Sequence, residues 1–143
     1  MQRFSTKVEI RWADLDPNFH VLHSKYFDFG AYCRMCFLTE HGITVPLMQE
    51  HHIGPIIFRE ECLFKKEINF GDEFTITLKL HKLSEDYRKW TMAHELLLSN
   101  DTLAAEITVD GAWMDTKIRK VVSPPQAFKK GFDAIPKTGN FNQ

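Results

Sequence analysis

The sequence predicts an α+β domain: one long, buried helix packed against an antiparallel sheet. Three observations carry this reading. The stretch from about Ser24 to Glu40 is apolar around most of its circumference, through Phe27, Phe29, Ala31, Cys33, Met35, Phe37 and Leu38. A helix of that kind is buried rather than laid on a surface. Before it comes a run with strict two-residue alternation, and after it come four more strand-like runs separated by turn signals.

In order, Phe4, Thr6, Val8, Ile10 and Trp12 alternate with Ser5, Lys7, Glu9 and Arg11, which predicts a half-buried strand. A loop from Asp14 to His23 follows, with Pro17-Asn18 as its turn. Ser24 is positioned to cap the long helix, Asp28 sits near its positive end, and His41-Gly42 is a stop signal. Lys25, Asp28, Tyr32, Cys36 and Thr39 form its one polar stripe. Gly30 costs about 1 kcal/mol relative to Ala in a helix interior, so a close packing contact is expected there. Arg34 lies away from the polar stripe and is expected to pair structurally, because an unpaired buried charge is costly. Val45–His52 reads as a short helix or a loop.

The four later strands are Ile56–Glu67, the Phe74–Leu80 run, the Trp90–Leu98 run and Leu103–Asp115. Asn69-Phe70-Gly71-Asp72 and Asn100-Asp101 are the turns between them. Ser123-Pro124-Pro125 opens a short final helix carrying Phe128 and Phe132. The residues from about 137 onward read as a frayed tail.

The 143 residues suit a single domain, 1–143, that buries roughly 70% of its unfolded surface. A formal net charge of -1 gives no electrostatic reason to expect nucleic acid or an anionic membrane. No run is long and apolar enough to span a bilayer, and no signal-peptide core is present. Three cysteines, Cys33, Cys36 and Cys62, make no disulfide framework, and a reduced, cytoplasmic protein is the simplest expectation.

Candidate chemistry gathers in the Asp14–His23 loop, where two carboxylates and the imidazoles of His20 and His23 precede a helix N-terminus. Unpaired backbone N–H groups and the positive end of the helix dipole lie there. A carboxylate beside donors able to hold an oxygen is a layout for acyl chemistry. A metal reading of Asp14, Asp16, His20 and His23, with His51 and His52, lacks any strong ligand spacing. Cys33-x-x-Cys36 lies within the buried helix and reads as core.

The run Arg11-Trp12-Ala13-Asp14-Leu15-Asp16-Pro17-Asn18-Phe19-His20-Val21, with Tyr26 and Arg34, resembles the N-terminal signature of hotdog-fold acyl-CoA thioesterases. The 4-hydroxybenzoyl-CoA thioesterase-like family is the branch it is most similar to. The chain departs from that pattern at Phe19, usually Gly, at Leu22-His23, often Asn-Asn, and at Ala31, often Glu. The resemblance implies a hotdog fold, an antiparallel sheet of about five strands wrapped around one central helix. It implies hydrolysis of an acyl-CoA to a carboxylic acid and free coenzyme A, without cofactor or metal.

On this resemblance Asp16 is the catalytic carboxylate, acting as nucleophile or as general base, and the His23 backbone N–H polarises the carbonyl. Tyr26, Arg88 and Lys89 fall at substrate-binding positions, the basic pair toward the coenzyme A phosphates. Lys65, Lys66, Lys117, Arg119 and Lys120 compete for that last role. The resemblance further implies a homodimer or homotetramer with its acyl pocket completed by a neighbouring subunit. Alternatives from the same fold are an acyl-ACP thioesterase, a dehydratase, for which Ala31 removes the usual acid, and a non-catalytic acyl-CoA-binding protein. Phe19 keeps the last alternative open, because a bulky residue in that turn can displace the carboxylate.

Overall fold

A computed structural model describes residues 3–142. The chain runs β1 (Phe4–Val8), α1 (Lys25–Glu40), α2 (Val45–His51), β2 (Ile53–Phe64), β3 (Phe74–Leu83), β4 (Lys89–Leu98), β5 (Leu103–Asp115), β6 (Lys120–Val121), α3 (Gln126–Asp133) and β7 (Lys137–Asn142). The sheet has the order β1-β3-β4-β5-β2, with β6 added beside β5 and β7 beside β3. Every pairing is antiparallel except β7 on β3.

The sheet's apolar face closes on α1. Phe74, Ile76, Leu78 and Leu80 of β3, Met92 and Leu96 of β4, and Ile107 and Val109 of β5 are buried with Tyr26, Phe29, Cys33, Phe37 and Leu38 of α1. Asp28, Tyr32 and Thr39 of the polar stripe remain exposed. Phe128 and Phe132 of α3 close one end of the core by packing their rings 5.1 and 5.3 Å from Trp113.

Local chemistry departs from the sequence reading in four places. The first strand stops at Val8, and Trp12–Asp14 forms a 3₁₀ turn. There Asp14 Oδ2 accepts from the Arg11 backbone N–H at 2.9 Å, and this local bond competes with strand extension. Ser24 occupies the cap position of α1, but its side chain makes no capping hydrogen bond with a described residue. The strand expected from Ile56 begins at Ile53, because Ile53–Ile56 pair with Ala112–Asp115 of β5. The expected frayed tail from about 137 is instead β7. Leu80 donates its N–H to the Pro136 carbonyl at 2.7 Å, which docks the segment beside β3.

Gly30 has the close contact its place in the helix calls for. A Cβ there would lie 3.3 Å from Arg34 Nη1 and 3.4 Å from His94 Cδ2. The buried Arg34 hydrogen-bonds His94 Nε2 at 3.0 Å, while His94 Nδ1 lies 2.8 Å from the Thr77 carbonyl oxygen. That carbonyl can only accept, so Nδ1 carries the proton and Nε2 accepts from Arg34. Burial, then the Arg34 charge, pushes His94 down to about 3 and keeps the ring neutral.

Candidate active site

The Asp14–His23 loop is a tight hairpin joined to the β2–β3 connection. Leu15 and Val21 bridge, as do His20 and Asn69, and the Val21 N–H donates to the Ile68 carbonyl at 2.8 Å. Phe19 takes φ +65, in the left-handed region, so the usual Gly at this position has a physical reason. Its side chain turns outward, 57% exposed, with its ring 5.9 Å from Trp12. The hairpin therefore closes with Phe19 in place.

The two acids of the loop have different surroundings. Asp14 is 1% exposed and binds Arg11 through Nη2 at 2.9 Å, Nε at 3.3 Å and the backbone N–H. The Arg11 side-chain bond holds its carboxyl below the usual carboxylate range. Asp16 is half-buried, and its Oδ1 accepts from the backbone N–H of Asn18 at 2.8 Å and of His20 at 3.1 Å. Its Oδ2 accepts no hydrogen bond from a described residue. One oxygen is thus held in place by the turn and the other is left open.

Asp16 lines a pocket of about 300 Å³ with His20, His23, Tyr26 and the Phe64–Glu67 segment. The His23 N–H, in the turn just before α1, donates to no described residue. Tyr26 is buried against Phe64, ring centroids 4.9 Å apart, and burial pushes its hydroxyl up to about 12. It is therefore neutral and can donate. His20 Nε2 lies 3.5 Å from Glu67 Oε2, which gives it a structural partner.

The structure brings Asp16, His23 and Tyr26 together and leaves Arg88 and Lys89 elsewhere. Lys89 pairs with Ala112, seven residues along β5 from Ala105, which pairs with Phe64 at the Asp16 end. Seven residues of strand span roughly 23 Å. Arg88 is held by Asp86 at 2.6 Å on the surface. In contrast Lys65 and Lys66, which the sequence offered only as rivals for the phosphate role, line the Asp16 pocket. Sequence reasoning missed the Phe64–Glu67 wall, and the only signal for it was that Lys65-Lys66 pair. Among the described residues no group of three or more His, Cys, Asp or Glu side chains is placed to hold a metal ion.

A curled antiparallel sheet around one helix, with an acid-bearing hairpin at that helix's N-terminus, defines a hotdog fold. The chain belongs to the thioesterase-like superfamily, which matches it over residues 10–132. No match was found among curated proteins. Similar solved structures include a hypothetical protein from Staphylococcus aureus in complex with CoA, at 20% identity and TM-score 0.86, covering 96% of this chain and 88% of that one. A hypothetical protein from Aquifex aeolicus superposes at 22% identity and TM-score 0.82, covering 90% and 98%. A 1,4-dihydroxy-2-naphthoyl-CoA thioesterase from Synechocystis does so at 13% identity and TM-score 0.83, covering 93% and 97%. At these identities the likeness is one of fold.

Proposed function

We propose that this protein hydrolyses an acyl-CoA thioester to a carboxylic acid and coenzyme A at the Asp16 pocket. One observation carries the reading. A carboxylate anchored through Oδ1, with Oδ2 free of protein partners, shares a pocket with an unengaged N–H at a helix start. As general base, Asp16 takes a proton from water. The water oxygen attacks the carbonyl carbon, and the His23 N–H holds the oxyanion. The carbon–sulfur bond then breaks and the thiolate takes the proton from Asp16. As nucleophile, an Asp16 oxygen attacks the carbonyl carbon, the carbon–sulfur bond breaks with coenzyme A leaving as the thiolate, and water opens the resulting mixed anhydride in a second step. The Tyr26 hydroxyl is a second donor to the thioester, and Lys65 and Lys66 supply positive charge at the pocket rim.

The second subunit enters through β2. Among the described residues this strand pairs only with β5, and it exposes Ile57, Phe58, Leu63 and Phe64, at 47–59%. An open, apolar strand edge of this length is a template for pairing. Antiparallel pairing of two copies about the strand's middle sets Phe64 of one opposite Ile53 of the other. The second copy's Arg88 and Lys89 then fall at the Asp16 end of the first, where they can meet coenzyme A phosphates.

Asp16→Asn preserves size and the turn's hydrogen bonds but removes the charge. The expected result is a loss of about 10²–10⁴ in kcat at unchanged melting temperature, with acyl-CoA binding retained. Single turnover in ¹⁸O-water separates the routes, since only the anhydride path can place label in Asp16. If the parent protein releases no thiol from any acyl-CoA, a non-catalytic acyl-CoA-binding role replaces this reading.

A further inference from the structure

Between α1 and the sheet lies a second cavity, about 170 Å³, whose wall includes Arg34, Ala31, Ile57, Met92, Trp90 and Trp113. A cavity of ~150 Å³ takes one benzene ring. The wall holds a buried cation without a counter-charge among the described residues. Arg34 is 7% exposed, and its described hydrogen-bond partner is the neutral His94. No described carboxylate forms an ion pair with it, and Glu60 on β2 acts on it only from a distance. The indole Nε1 atoms of Trp90 and Trp113 are buried without a hydrogen-bond partner among the described residues, but neither atom offers surface to the cavity. A buried cation normally has a counter-charge. A wall with a buried cation that has no counter-charge among the described residues, otherwise apolar, calls for a small apolar body ending in an oxyanion.

The cavity's place in the sheet gives it an occupant. Pro55 and Ile57 of β2 border it at the end of the strand that β2–β2 pairing sets against the second copy's Asp16 pocket. We propose that the cavity is the acyl chamber of that site. It holds an acyl group no larger than one ring or about six carbons, whose far end carries a carboxylate paired with Arg34. That the occupant is an acyl group rests on the hydrolase reading; that the cavity takes a carboxylate does not.

The two parts are tested separately. Trp90 and Trp113 line the chamber, so indole fluorescence reports its filling, and Trp12→Phe removes the exposed third indole. The probes are benzoate and its neutral isostere benzamide. Benzoate is expected to give a saturable change and to bind at least about tenfold more tightly than benzamide. Arg34→Met should abolish that preference, and Arg34→Lys should keep part of it. Ala31→Leu fills the chamber without touching the charge and should block both probes while circular dichroism stays native. No saturable signal from millimolar benzoate, or an unchanged preference in a folded Arg34→Met protein, overturns the inference.

For turnover, glutaryl-CoA is compared with 5-methylhexanoyl-CoA, in which two methyl groups stand where the carboxylate oxygens are. Glutaryl-CoA is expected to have the higher kcat/KM by about tenfold or more, and Arg34→Met should reverse the order. Hydrolysis of both at equal rates, insensitive to Arg34, overturns this inference and leaves the hydrolase reading standing. Benzoate binding with no thioester hydrolysis supports the carboxylate site and removes the hydrolase reading.

Discussion

Asp14 and Asp16 stand two residues apart and face different partners. The buried Asp14 spends both oxygens on Arg11, whereas Asp16 spends one on its own turn. Asp14→Asn is therefore expected to act through stability, lowering the melting temperature by a few degrees, about 1 kcal/mol, with hydrolysis reduced only in proportion to folded protein. Its folded-state pKa is depressed below the ordinary 3.8. The stabilisation is thus fully present above that value and lost as pH falls through the folded-state pKa. The melting-temperature gap between parent and variant should narrow between neutral pH and about pH 3. A gap that stays constant or widens would show that the Arg11 pairing is not the source of the effect.

At the scale of elements, β5 is the strand that the chamber and the edge both depend on. Gly111 lies at the register shift opposite Ile57, and a Cβ there would collide with the Ile56 carbonyl oxygen and the Trp90 ring. Gly111→Ala should cost about 1–3 kcal/mol, the usual penalty for overpacking a well-filled core. The Trp90 fluorescence should change with it, since that ring must move. Denaturation that leaves the midpoint unmoved would show that β2 bends away at no cost. The helix α3 acts as a plug: Phe128 and Phe132 are fully buried on Trp113, so Phe132→Ala should cost about 3–5 kcal/mol and open the chamber wall it borders.

At the scale of the whole molecule, the proposed site is complete only in a pair of chains. Light scattering is expected to give a dimer or larger at micromolar concentration. Phe58→Glu with Leu63→Glu places charge on the β2 edge and should shift the protein toward monomer. Hydrolysis should fall with it, although Asp16 keeps its turn. Arg88→Ala with Lys89→Ala should raise KM for acyl-CoA more than it lowers kcat, and should leave thioesters lacking the nucleotide almost unaffected. A monomeric parent with full activity, or equal effects on both substrate types, would remove the paired-site arrangement.

The α+β class, the buried central helix and the order of the five main strands are local properties, written in two- and 3.6-residue periodicities that need no knowledge of partners. The Asp16 turn was legible for the same reason, because its hydrogen bonds reach only two and four residues along the chain. Membership of a thioesterase-like family followed from the residues around that turn. What the local pattern did not contain was decided by tertiary structure. Arg34 meets His94 across 60 residues, the Phe64–Glu67 wall reaches the hairpin through Ile68 and Asn69, and β7 finds β3 through the Pro136 carbonyl. Each of these depends on strand register, and register is an agreement between distant segments that no single segment of sequence displays. The separation of Arg88 and Lys89 from Asp16 within one chain has the same origin: their rows on β5 are set by pairing rather than by composition.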